Sequence, residues 1–429
     1  MFSVITLAVE LVIKAFLNEL TLGSGKTEAI DIAFIALFSL AFMYDIGRSK
    51  KLKQLSVPLF TGYIWRLLLL FWDIYGRDYY FLPNSGADSE MFYHTSCIYS
   101  VSGYVEGSRG GLFSKVMSII FRYIGTSRLY GQFIIVLFSV VSLVLFALLL
   151  KKIDIPDKTR YYICLIVVLL PNLAILSSIF LRESITAMFI TISFYLFYKW
   201  LNGKNIIYFV IAFISAFCAS AFHSGSAAVA VGYVGIILLY DRQSKTFRFK
   251  MKNLIPTIVL LIILSYLYVN YADSLFGKMS NVETISDVAD DEIRGNSSYA
   301  RYVGNSNNLF NMVIYTPLRL LFFIGSPFPW QWRGLSDIIA FCFSSLFYMY
   351  TILCDIRFLR SGEKKNRTLV IALSIIAFSA LFVFGWGVAN TGTAIRHRDK
   401  MTIIWGLLLA LTYRPKKHRL ASSREVSTT

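Results

Sequence analysis

Four short stretches of this sequence carry residues able to act on a substrate together. Arg182-Glu183 follows Ser177 and Ser178, two residues suited to capping a helix. An Arg in the first turns of a helix makes an anion site, because exposed N–H groups, the helix dipole and a bidentate guanidinium all favour the same phosphate. The competing reading is an Arg–Glu pair that reaches the membrane interface. His223 lies in the tight turn Phe222-His-Ser-Gly-Ser226, and Arg396, His397 and Arg398 place three donors within one turn of the stretch Asn390–Lys400. Asp88 follows a Gly turn in Leu82–His94, with Tyr93 and His94 behind it. A carboxylate beside several cations has the make-up of a general base next to an anion-binding group, although an Asp in a turn also serves as a simple backbone hydrogen-bonder.

Two other chemistries find no support. Gly23-Ser-Gly-Lys-Thr27 resembles the end of a phosphate-binding loop, but the full spacing needs Gly where Leu20 stands. His, Cys and Asp nowhere take metal-ligand spacing, so no catalytic zinc and no other cofactor is expected.

The elements that must position these residues are helices in lipid. Of 429 residues, 56% are hydrophobic and only 16% charged, against about 25% charged in soluble domains. Mean hydropathy is +0.61. About a dozen apolar segments are long enough to cross a bilayer: 4–20, 29–46, 57–75, 130–150, 161–178, 180–201, 205–222, 224–240, 253–271, 335–355, 367–388 and 399–413. The expected fold is an all-α polytopic membrane protein, one transmembrane domain over 1–429. The first helix reads as retained, since Glu10, Lys14 and Glu19 interrupt it and no small-residue cleavage site follows. Four of the five Cys (Cys164, Cys218, Cys342, Cys354) lie in apolar stretches and only Cys97 in a polar loop, which implies no disulfide framework.

The net charge of +17 marks topology rather than nucleic-acid binding, because the basic residues stand in short clusters between apolar segments. Alternate connections and the basic tail, 414–429, hold 25 of the 42 Lys and Arg, so the positive-inside rule puts them and both termini in the cytoplasm. Two long loops, 76–129 and 272–334, then face outward. Segments 111–124 and 309–328 are apolar but would invert everything downstream if they crossed, so they read as interfacial or re-entrant pieces. The second long loop carries the acidic run Glu283, Asp287, Asp290, Asp291 and Glu292, followed by Arg294 and Arg301.

The run Ser178-Ile-Phe-Leu-Arg-Glu-Ser-Ile-Thr-Ala187, the helix carrying Lys199-Trp200, and Ala221-Phe-His-Ser-Gly-Ser-Ala227 resemble the Arg-[Gln/Glu]…Ala and Phe-His-x-Ser-Ala pattern of the EpsG/Wzy-type polysaccharide repeat-unit polymerases. Ala394-Ile-Arg-His-Arg398 is similar to the basic motif before their last helices. The likeness covers about 177–240, with an echo near the C-terminus. Glu183 stands where many relatives carry Gln, and Gly225 interrupts the His-x-Ser-Ala form.

The resemblance implies a glycosyltransferase of the bacterial cytoplasmic membrane. It would move a growing glycan from undecaprenyl diphosphate to a new lipid-linked repeat unit on the outer face, alongside a flippase and a chain-length regulator. In that chemistry Arg182, Arg301, Arg319, Arg396, His397 and Arg398 are the cations for the departing diphosphate, and Asp88, Glu183 and His223 are three open candidates for the base. A flippase or transporter for the same lipids, or a ligase or acyltransferase, remains the alternative.

Overall fold

The computed structural model describes residues 1–19, 24–103, 110–241, 244–248, 251–255, 257–259, 262, 266, 298–303 and 309–414. The acidic run and Arg294, most of segment 253–271, nearly all of the tail 414–429, and Gly23 of the glycine-rich stretch lie outside the described residues.

The described chain is mainly helical, and its one sheet is a two-residue ribbon, among the described residues, that pairs Tyr240–Asp241 with Thr246–Phe247. The helices are α1 Phe2–Glu19, α2 Ser24–Arg48, α3 Ser56–Tyr75, α4 Ala87–Ser102, α5 Gly111–Ile124, α6 Arg128–Lys152, α7 Asp157–Leu169, α8 Pro171–Leu176, α9 Glu183–Leu201, α10 Ile207–Phe222 and α11 Ala228–Leu239. There follow α12 Ala300–Val303, α13 Leu309–Gly325, α14 Leu335–Ile339, a π-helical turn Ala340–Ser345, α15 Leu346–Arg360, α16 Arg367–Trp386, α17 Thr391–Asp399 and α18 Thr402–Thr412.

Among the described residues six helices are long and apolar enough to cross a membrane, led by Arg128–Lys152 at mean hydropathy 3.2. Their outward faces carry large apolar side chains that water would not tolerate: Leu40 is 67% exposed, Leu68 57%, Leu353 50% and Phe378 58%. The chain is an all-α membrane protein.

Three expected segments are interrupted. Segment 161–178 breaks after Leu169, because Pro171 cannot continue a helix and forces Leu170 out of helical geometry (φ −52°, ψ 118°). Segment 335–355 contains the π-helical turn, and 224–240 opens with a tight 3-10 turn, Ser224–Ala227. Three helices fall where none was expected, α4 inside the first long loop, the short α12 inside the second and α17 ahead of the last apolar segment.

The core is built from close helix contacts. A Cβ on Gly232 of α11 would come within 2.9 Å of the Ile376 Cα of α16, an approach that a small residue permits. Tyr233 stacks on Phe197 at 4.4 Å between ring centroids and shares a hydrogen bond with Ser193. The amphipathic α5 buries Phe113, Met117 and Phe121 against its neighbours and leaves Ile119 and Tyr123 exposed.

Candidate functional site

Helices α4, α9 and α17 bring together the charges that the sequence scatters over three hundred residues. Glu183 opens α9, and Asp88 and Glu90 lie in the first turn of α4, where the N-terminal dipole favours carboxylates. Ser177 and Ser178 do not cap α9 as expected. The helix starts later, at Glu183, with Arg182 at its cap position, and the two hydroxyls donate to carbonyls of the preceding turn, Ser177 to Leu173 and Ser178 to Ala174, with Ser178 also reaching the Arg66 carbonyl of α3. Asn390 caps α17, accepting from the N–H groups of Gly392 and Thr393.

Arg396 is the hub. Its Nε donates to Glu183 Oε1 at 2.9 Å, its Nη2 lies 2.8 Å from the same oxygen, and its Nη1 pairs with Asp88. The Lys400 ammonium, fully buried, stands 3.8 Å from the same Glu183 Oε1. Arg182 lies over the Phe92 ring at 5.6 Å and interacts electrostatically with Glu183, Arg396 and Asp88. Burial opposes the charge of Arg396, but Glu183 and Asp88 outweigh it and hold the guanidinium above its ordinary range.

Consecutive residues of a helix point about 100° apart, so the basic triplet does not act as one group. While Arg396 meets the carboxylates, His397 turns to His223, with ring centroids 4.4 Å apart, edge to face, and both rings pack near Phe384. Burial first, then the surrounding cations Lys400, Arg396 and Arg182, press the pKa of each His well below 6.5 and keep it neutral. The Nδ1 atoms of both rings, the Lys400 Nζ, the Arg182 Nε and the Glu183 Oε2 have no hydrogen-bond partner among the described residues. This concentration of polar atoms is what an entering polar group would satisfy.

Arg398 faces the other way. Its Nη1 donates to the carbonyls of Phe323, Ile324 and Ser326 at 3.2, 2.6 and 2.8 Å, its Nε to Ser344 and its Nη2 to Ser345. It caps the last carbonyls of α13 and is a positioning residue, which corrects its expected role as an anion ligand. Arg319 of α13 stacks over Trp386 at 4.4 Å, buried apart from the hub. Arg301 stands in α12, with its side chain outside the described residues.

Reading along the chain missed a second ring of charge beside the hub. Glu90 pairs with Arg77 and with Arg128, the latter at 2.6 Å, and lies 3.7 Å from His94. Arg128 also approaches Asp73, which accepts from Gln132 at 2.7 Å and from Ser85. Tyr93, grouped with Asp88 in the sequence, lies beneath Arg128 and donates to the Thr126 carbonyl. The available signal was the spacing Asp88-x-Glu90 in a helix start, with a cation flanking each end of the loop. Lys400 was hidden as the second residue of the apolar segment 399–413.

No family model matches the chain, and no curated protein or solved structure is detectably similar to it.

Proposed function

We propose that the protein is a membrane glycosyltransferase that polymerises undecaprenyl-diphosphate-linked repeat units, with its site on the outer face of a bacterial cytoplasmic membrane, about twelve spans and both termini inside. The observation that carries this reading is the hub: Arg396 is bonded at once to Asp88 and Glu183, partners 308 and 213 residues away. Such distant carboxylates and cations converge where two helix N-termini meet, beside two neutral histidines.

The chemistry is an inverting or retaining displacement at a sugar carbon whose leaving group is a diphosphate. Cations must take up its developing charge, for which Arg182, Lys400 and Arg396 are suited. A base must take the proton of the attacking hydroxyl, and Asp88, Glu183 and His223 all lie within the cluster. The bond energy resides in the donor, so no nucleotide is consumed. α5 and α13 serve as interfacial pieces in this arrangement.

A transporter of the same lipids would need charges along a path through both leaflets; the ionic hub instead gathers in one place, joining the first turns of α4 and α9 to the last turn of α17. Arg182→Ala and Arg396→Ala should leave the protein in the membrane and abolish long-chain product, and Lys at either position should restore little, since an ammonium lacks the guanidinium fork. Wild-type product lengths from Arg182→Lys and Arg396→Lys would remove the anion-site reading.

A further inference from the structure

Three charged side chains that the proposed reaction leaves unused are buried together where α1, α2 and α6 meet. α1 runs antiparallel along α2, one of the helices long and apolar enough to cross a membrane. Met1 and Ser3 bond Asp45 near one end of α2, and Lys14 pairs with Asp31 near the other. Glu10 lies between these anchors, one helical turn from Lys14 and on the same face of α1. Glu10, Lys14 and Asp31 are 1%, 3% and 0% exposed. Ionisable groups at such depth mark functional positions.

The three are not equally satisfied. Asp31 accepts from Lys14 and from the Ser127 hydroxyl, and Lys14 also lies over the Tyr130 ring at 4.3 Å. Neither oxygen of Glu10 has a hydrogen-bond partner among the described residues. The groups around it are Lys14 and, beyond it, Asp31, with Tyr130 of α6 and Tyr63 of α3, whose hydroxyl shares a hydrogen bond with Ser39. α5 also packs on α1, but its Arg122 turns away to the Ser100 carbonyl. Two carboxylates against one ammonium leave one negative charge in excess, and an uncompensated buried charge is strongly unfavourable. A metal ion is a poor counterweight: among the described residues no three His, Cys, Asp or Glu side chains are placed to hold one, and Lys14 repels it. A proton adds to Glu10 directly. Beside the cluster, at the end where α1 stops and α2 starts, a cavity of about 310 Å³ is lined in part by Lys14, Asn18 and Thr27, and such a polar space has room for water.

We propose that Glu10 is a proton-binding site filled through this cavity. One proton adds to the carboxylate, no other bond changes, and the Lys14–Asp31 pair stays ionised. The site adjoins the second ring of charge, because Ser127, the donor to Asp31, also caps α6, and the next residue, Arg128, pairs with Glu90. It does not depend on the identity of the substrate.

Infrared difference spectra of the whole protein in nanodiscs at neutral pH test this, because a carboxylic acid shows a C=O band that an ionised carboxylate lacks. Glu10→Gln, which keeps the shape of the protonated acid, should remove one such band. Charge balance sets the other variants. Asp31→Asn leaves Glu10 to pair with Lys14 as an ion, so the Glu10 band should vanish; Lys14→Met leaves two carboxyls without a cation, so a second acid band should appear. Transfer to D2O should shift the Glu10 band, and several-fold more slowly in Asn18→Trp, which fills the cavity. Should Lys14→Met fail to fold, Glu10→Gln and Asp31→Asn still decide. No band lost in Glu10→Gln, a Glu10 band that persists in Asp31→Asn, or a Glu10 carboxylate signal that responds to sodium or potassium would overturn the assignment. A shift in Asn18→Trp as fast as in the wild type would overturn the route through the cavity.

Discussion

Replacing Glu183 by Gln and Asp88 by Asn separates the buried half of the Arg396 hub from its exposed half. The Glu183 side chain is 5% exposed and Arg396 16%, whereas Asp88 is 54% exposed. Glu183→Gln leaves Arg396 and the fully buried Lys400 facing each other without their shared carboxylate. Breaking one side of a buried pair in this way costs about 3–5 kcal/mol. Asp88→Asn removes a partner at the rim, where ion pairs are worth about 0–1 kcal/mol. Equilibrium unfolding in mixed micelles of increasing SDS content, read by tryptophan fluorescence, should therefore give a cost for Glu183→Gln several times that for Asp88→Asn. A double-mutant cycle with Arg396→Gln should assign most of the coupling to the Glu183 pair. Equal costs, or a Glu183→Gln protein within about 0.5 kcal/mol of wild type, would refute the idea that Arg396 is held chiefly by the buried carboxylate.

The histidine pair predicts a pH effect in a defined window. His223 and His397 are held well below 6.5 by burial and nearby cations, so as pH falls through 6.5 the unfolded chain binds protons that the folded one refuses. Stability should then drop with pH by about 1.4 kcal/mol per unit for each His, and the drop should flatten in His223→Asn/His397→Asn; an unchanged slope in that variant would contradict the neutral pair. For orientation, a Cys at Ser102 should be labelled from outside by an impermeant maleimide in a cysteine-free background and a Cys at Lys364 should not, with the reverse pattern inverting the outer-face assignment.

Apolar run length made the helices legible in the sequence, and several boundaries fall within a few residues of those observed: segment 367–388 is Arg367–Trp386. Helix breaks were less legible. Pro171 carried a visible warning for segment 161–178, but the π-helical turn at 340–345 sits in an apolar run that reads as continuous helix. α4 was missed because its stretch, with Asp88, Glu90, His94 and several Ser, lacks an apolar run. For the site, residue types singled out Arg182, Glu183, His223, Arg396 and Asp88 as candidates, and the structure brings Asp88 and Glu183 together at Arg396. The divergence of Arg396, His397 and Arg398 into three environments depends on how α17 is rotated against α9, α10 and α13. Local sequence does not encode that rotation; it is set by packing between segments far apart in the chain.

The central claim is the reaction, and reconstitution tests it most directly. Purified protein in liposomes, given only the lipid-linked repeat unit of its native cells, should build a ladder of product lengths without nucleotide sugar and in the presence of EDTA. One of Asp88→Asn, Glu183→Gln and His223→Ala should slow the ladder by about 10²–10⁴-fold while substrate still binds, the range expected for loss of a general base. Movement of the repeat unit across the bilayer without lengthening, or a ladder that forms only with added nucleotide sugar, would contradict the account.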